Sequence, residues 1–100
     1  MIVRINRARF DPASADRLRD MLDGFQETLV PALRRLPGFR TYQSGLDAAS
    51  GSMVAVSTWD TAEHAAAVGT LPEMVAQAAA LRAAGVAFEP PVHHEILWEI

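Results

Sequence analysis

The chain has 100 residues, half of them hydrophobic and 21% charged, with a formal net charge of −3. That length holds one domain, residues 1–100, and the acidic balance argues against a nucleic-acid partner, which selects a basic footprint. The chain has no cysteine, which excludes disulfides, thiolate catalysis and cysteine-ligated zinc, and no stretch reaches the ~18 apolar residues of a membrane span.

MIVRINRARF reads as a strand, because Ile2, Val3 and Ile5 are β-branched and suit a pleated surface. Its charges are scattered among the apolar residues, so it lacks the apolar core of a signal peptide, and a cytoplasmic location is the expectation. Arg4, Arg7 and Arg9 read as solvated surface, with a local anion site inside an acidic protein as the alternative. Asp11 followed by Pro12 marks a helix start, a carboxylate cap and then proline at the first helical position. Leu18, Met21, Leu22, Phe25, Leu29 and Leu33 recur at helical spacing and form one apolar stripe. Pro31 lies inside that pattern and should kink or restart the helix, since it removes a hydrogen-bond donor. LPGF, Leu36 to Phe39, ends it.

FRTYQSGL, from Phe39 to about Leu46, is a second strand. DAASG (Asp47 to Gly51) is a turn, and Ser52 to Trp59 is a third strand that pairs with the second as a hairpin. Asp60, with Glu63 three residues on, has the spacing of a capping box and opens a second helix. Gly69 and Pro72 interrupt it, a further segment runs from about Leu71 to Ala84, and Gly85 is the left-handed stop. AFEPP (Ala87 to Pro91) is a stiff loop able to frame a pocket mouth, and VHHEILWEI (Val92 to Ile100) is the last strand.

The order β-α-β-β-α-β is the split βαβ, ferredoxin-like plan of the α+β class. It gives a four-stranded antiparallel sheet with both helices on one face. The last strand puts His94, Ile96, Trp98 and Ile100 on one side and His93, Glu95, Leu97 and Glu99 on the other. A sheet coated by helices on one face and partly apolar on the other points to a homodimer through the open face. Small size points the same way, because a domain this short buries a modest part of its surface.

LPGFRTYQSG, a short turn, MVAVSTWDTAEHAAA and a closing EILWEI together resemble the antibiotic biosynthesis monooxygenase-like family. The resemblance covers nearly the whole chain. Its most specific pieces are Pro37-Gly38-Phe39 and Trp59 followed by Asp60-Thr61-Ala62-Glu63. It implies a dimeric α+β barrel, two subunits packed sheet to sheet with helices outside, and a pocket between each subunit's own sheet and helices. The family includes cofactor-free quinone-forming oxygenases, haem-degrading enzymes and members with no known activity. Haem-degrading relatives carry an Asn near the position of Asn6, with a Trp and a His on the second helix. Those two positions fall near Val68 and near Gln77 or Ala78, so the Trp and the His are missing, haem degradation is disfavoured and no cofactor is expected.

The candidate chemical groups are few. Trp59 reads as architecture at the strand-to-helix corner, where an indole buries a large area. His64, in the first turn of the second helix, could serve as a base, because the helix N-terminus favours a neutral imidazole; the plainer reading is a solvent-facing side chain. His93 and His94 point to opposite faces, and His94, beside Ile96 and Trp98, is the better buried candidate base. Asn6, Tyr42 and Arg40 could orient an oxyanion, with Arg40, Tyr42 and Ser44 sharing one face of the second strand. Scattered histidines match no metal-ligand motif. Two functional readings follow. One is a cofactor-independent monooxygenase acting on a small phenolic, hydroquinone-like or polyketide-like compound. The other is a non-catalytic dimeric module that binds a small apolar or aromatic molecule or supports another enzyme. A closed pocket holding a perturbed histidine would favour the first, and a pocket filled by side chains the second.

Overall fold

Strand β1 (Ile2–Arg9) lies inside the sheet of the computed structural model, which describes residues 1–100. The chain continues through a 3-10 turn (Pro12–Ser14), α1 (Ala15–Arg34), β2 (Phe39–Asp47), β3 (Ser52–Trp59) and α2 (Ala62–Ala67). A second 3-10 turn (Val68–Thr70), α3 (Pro72–Ala83), β4 (Ala87–Phe88) and β5 (Val92–Glu95) complete it. The strands lie in the order β2-β3-β1-β4, with β5 also on β1, and every pairing is antiparallel. β1 pairs with β3 from Ile2 opposite Trp59 to Arg9 opposite Ser52. No helix is long and apolar enough to cross a membrane.

Strand alternation decides what the helices cover. Ile2, Arg4, Asn6 and Ala8 of β1 lie beside Trp59, Ser57, Ala55 and Met53 of β3, and beyond them Tyr42, Ser44 and Leu46 of β2 oppose Ser57, Ala55 and Met53. Arg4, Ala8, Met53, Ser57 and Trp59 are buried, so this is the helix-covered face. Its two ends are apolar and its middle is polar or small. The core divides accordingly. One cluster gathers Ala8, Phe10, Ala15, Leu18, Met53, Leu81 and Val86, and the other Leu29, Leu33, Trp59, Ala65 and Val68. Each buried leucine contributes roughly 1.5–3 kcal/mol. Val3, Ile5, Val54 and Val56 lie on the opposite face, which no element of this chain covers.

The β-α-β-β-α-β frame is present, with differences in detail. The fourth sheet position is held by two short strands, making five in all, because Pro90 and Pro91 supply no N–H to the ladder. The pairing resumes one residue out of step: Phe88 lies opposite Ala8, and Val92 opposite Ile5. β5 ends at Glu95, so the expected strand to Ile100 is cut short. One more bond follows, from Ile96 N–H to the Met1 carbonyl at 2.9 Å, and Leu97, Trp98 and Ile100 are exposed. α1 runs through Pro31 without a break, because the carbonyl that loses its partner belongs to Glu27, which faces solvent. The second helix is interrupted at Val68–Thr70 and restarts with Pro72 in its first turn. Thr61, not Asp60, caps α2, its hydroxyl accepting from the His64 N–H at 3.2 Å.

Candidate functional site

The polar middle of the inner sheet face meets α3 across a cavity of about 440 Å³. Arg4 and Asn6 of β1, Tyr42 and Ser44 of β2, Gln77 and Arg82 of α3, and Glu89 after β4 supply its polar lining. Leu22, Met53, Met74 and Leu81 are among its apolar walls, and the segment Phe88–Pro91 lines it too. That placement agrees with the AFEPP loop as a frame for the cavity. The Arg82 guanidinium lies 5.1 Å from the centre of the Phe88 ring, a cation–π contact that positions the ring.

Three side-chain atoms of this lining are buried without a hydrogen-bond partner: Arg4 Nε, Asn6 Oδ1 and Gln77 Oε1. Such groups are rare in a folded protein, since an unmet buried polar atom costs about 1–3 kcal/mol. Arg4 is the extreme case. It is only 6% exposed, and none of the ion pairs of the fold includes it. Its Nη2 lies 3.7 Å from where a side chain on Gly69 would begin, so the guanidinium reaches from β1 to the second 3-10 turn. Burial lowers the Arg4 pKa, and the neighbouring Tyr42 offsets part of that. Burial raises the pKa of the Tyr42 hydroxyl, while the Arg4 charge and the Gln77 amide pull it partly back. Tyr42 is therefore a neutral hydroxyl beside a cation.

Asn6 and Tyr42 are the expected site residues that meet here, with Ser44 from the same face of β2 as Tyr42. Arg40 is not with them. A bulge between Phe39 and Thr41 takes Arg40 out of the alternation, and its guanidinium pairs with Glu99 at 2.9 Å near the exposed C-terminus. Arg40 lines instead a second, larger and equally open space of about 820 Å³ between α1 and β2, which shares Leu22, Tyr42, Ser44 and Gln77 with the cavity. His64 lines neither space. Its Nδ1 lies 2.6 Å from Asp60 Oδ1, and this bond holds the Asp60 carboxyl below its ordinary value. The pair sits over Gly38, whose φ is +77° and which has no room for a Cβ beneath Asp60.

His94 lies opposite Val3 on the open face, and both it and His93 are exposed, so neither is a buried histidine. The expectation depended on a strand continuing to Trp98, and the strand stops first. His93 lies directly opposite Arg4, on the helix side of the sheet, since facing residues of an antiparallel pair share a face. Partial burial, and then the Arg4 charge, lower the His93 pKa. No group of three His, Asp or Glu side chains is arranged to hold a metal ion.

Trp59 is fully buried. Its Nε1 donates to Ser57 Oγ at 2.9 Å, and Phe39 meets it edge-on at 5.4 Å. It is architecture. Gln77 is the lining residue that the reading of the sequence missed, and Arg4 was read as solvated surface, with an anion site only as the alternative. The signal for Arg4 was its place two residues before Asn6 on one strand.

No family model and no curated protein matches the sequence. Solved structures do. A candidate antibiotic biosynthesis monooxygenase from Deinococcus radiodurans matches over 100% of this chain and 96% of its own, with a TM-score of 0.76 and 20% identity. Rv0793 from Mycobacterium tuberculosis matches over 98% of this chain and 96% of its own, with a TM-score of 0.69 and 20% identity. SnoaB, a cofactor-independent oxygenase from Streptomyces nogalater, matches over 99% of this chain and 95% of its own, with a TM-score of 0.65 and 16% identity. At these identities the likeness is one of fold: the chain has the ferredoxin-like α+β fold that the antibiotic biosynthesis monooxygenase structures share.

Proposed function

We propose that the chain is a cofactor-independent monooxygenase acting on a small aromatic compound of the phenol, hydroquinone or anthrone type, bound between its own sheet and helices. The observation that carries this reading is the cavity: apolar walls around a cluster of buried polar atoms that nothing in the protein satisfies. Side chains do not fill it, and its size falls in the range of small-molecule sites. That SnoaB, of the same fold, is a cofactor-independent oxygenase supports the class of reaction.

The chemistry needs a base, a seat for negative charge and exclusion of water. His93 is the base we assign, because it lies opposite Arg4 on the helix side of the sheet; it is exposed and is not among the cavity's lining residues. Removing a proton leaves an electron-rich carbanion or phenolate, stabilised by a hydrogen bond from the Tyr42 hydroxyl, while Arg4 holds the substrate in place. That anion gives one electron to O₂, and the two radicals combine as a carbon-bound peroxide. Where the reacting carbon is a CH₂ group, loss of water then leaves a carbonyl. One oxygen atom stays in the product and the other leaves as water, so no external reductant is required. The apolar walls keep solvent from the radical pair.

We propose also that two copies join through the open sheet face. Val3, Ile5, Val54 and Val56 on that face, with the exposed Leu97 and Trp98 at the C-terminus, support this. Sedimentation equilibrium would read a mass of twice 10.9 kDa; a monomer at high concentration would refute it.

The test of function is oxygen uptake by the metal-free protein against hydroquinones, anthrones and flavonoid-like phenols. Uptake is expected with at least one of them. It should be lost in Arg4→Met and reduced in His93→Gln, while His64→Gln and His94→Gln retain it. No uptake above the uncatalysed rate across the panel would overturn the reading in favour of a ligand-binding module.

A further inference from the structure

Arg4 offers more than positive charge. Its Nε is buried and unpartnered. Its Nη2 stands next to Gly69, the residue without a side chain in the second 3-10 turn. Nε and Nη2 form one edge of the guanidinium, with two parallel N–H groups at the spacing of a carboxylate's two oxygens. The protein sends no carboxylate to that edge, although ion pairs form elsewhere at Arg19, Arg35 and Arg40. The other orphaned atoms of the cavity, Asn6 Oδ1 and Gln77 Oε1, are acceptors. They call for donor groups such as hydroxyls. Gln77 is only 9% exposed, so bulk water does not serve it.

We propose that the cavity binds an aromatic carboxylate that also bears a hydroxyl: the carboxylate lies in two-point contact with Arg4, and the hydroxyl donates to Asn6 or Gln77. This rests on the reading of the cavity as a substrate site, and narrows its substrates to hydroxyaryl acids. The carboxylate is an anchor and takes no part in the oxidation. It orients the ring so that the reacting carbon is held within the apolar walls, away from the ionic edge. The charged groups lining the cavity are Arg4 from the sheet, Arg82 from α3 and Glu89 from the segment after β4, while the exposed His93 lies opposite Arg4 outside the lining. Among these, Arg4 is the one that is both buried and unpaired.

The test is anaerobic fluorescence titration with 6-hydroxy-2-naphthoate, its neutral amide, and 2-naphthol, which lacks the anchor. The carboxylate is expected to bind at least about tenfold tighter than either neutral probe, the worth of one charge-assisted hydrogen bond. Arg4→Gln should erase that preference, and Arg4→Lys should restore it only in part, because an ammonium keeps the charge without the fork. Equal binding of the naphthoate and its amide to the unaltered protein would overturn the proposal without recourse to any variant. So would a preference that survives Arg4→Gln. Tighter binding of 2-naphthol than of the acid would also overturn it, and would make Arg4 a seat for a phenolate. No turnover is involved, so a carboxylate preference without oxygen uptake removes the oxygenase reading and leaves the anion site. Uptake without the preference does the reverse.

Discussion

Replacing Arg4 with methionine is expected to make the ligand-free protein more stable and inactive. The guanidinium is 6% exposed and has no carboxylate partner. An uncompensated buried ion costs several kcal/mol relative to water, and replacing buried charge with a well-packed apolar side chain is often stabilising by 1–4 kcal/mol. Two features reduce the figure here. The guanidinium edge borders a cavity of about 440 Å³, large enough to admit water. The arginine stem also contributes packing, which methionine keeps in large part. The net gain is therefore about 1–2 kcal/mol, or roughly 5–10 °C in Tm for a domain of this length. Differential scanning calorimetry and urea unfolding check it. The urea midpoint should rise with the slope unchanged, the mark of a true stability change. Saturating ligand should reverse the order, since only the parent gains binding energy. A fall in ligand-free Tm of more than a few degrees would refute the reasoning, because it would mean that the native fold satisfies the guanidinium.

Two glycine substitutions should have opposite signs. Gly38→Ala places a Cβ at φ +77° against Asp60 and within 2.5 Å of His64 Nδ1, so it should cost at least about 1–3 kcal/mol; Gly24→Ala, in open space on α1, should add about 0.5–1 kcal/mol. Urea midpoints of the two variants decide this. By NMR titration, His93 should ionise below 6.5, and Arg4→Met should bring it only part of the way back, since burial is the larger cause. Because the neutral form is favoured in the fold, its contribution to stability is complete above 6.5 and is lost as pH falls through the folded value. The Asp60 carboxyl should titrate below 3.8 in the parent and move up in His64→Ala, with its stabilising effect lost as pH falls through the lowered value; an unchanged Asp60 curve in the variant would contradict the pairing with His64.

Most of the fold could be read from strand alternation and helical spacing. Both are local signals, and each long element carries enough repeats to average out an exception. Leu18, Leu29 and Leu33 lie where the stripe on α1 puts them. The last strand was misjudged because Pro90 and Pro91 act on its pairing, not on its composition: they interrupt the ladder and shift its register, and no apolar pattern records that. Asp60 has the spacing of a cap, yet Thr61 takes the role and Asp60 bonds the His64 ring. Both side chains suit the position, and the choice depends on Gly38 approaching from another part of the chain.

The candidate site was half legible. Of the residues expected there, Asn6 and Tyr42 line it. Arg4 follows the same alternation as Asn6, yet the anion site was only the alternative reading for it, because an arginine near a terminus reads as solvated and nothing local says that α3 and the second 3-10 turn close over it. Gln77 was noticed only as a place lacking histidine. Arg40 left the site through a bulge, a one-residue event that composition does not announce. His94 fell on the outer face because the register after Pro90 and Pro91 sets it opposite Val3.

Incubation under ¹⁸O₂, with mass spectrometry of the product, tests the central claim most directly. The substrate is whichever hydroxyaryl compound the uptake panel selects, and Arg4→Met is run beside the parent. The account predicts one labelled oxygen atom per product molecule from the metal-free parent, and none above the uncatalysed level from Arg4→Met. Product without label, or label that survives loss of Arg4, would contradict an oxygenase built on this cavity.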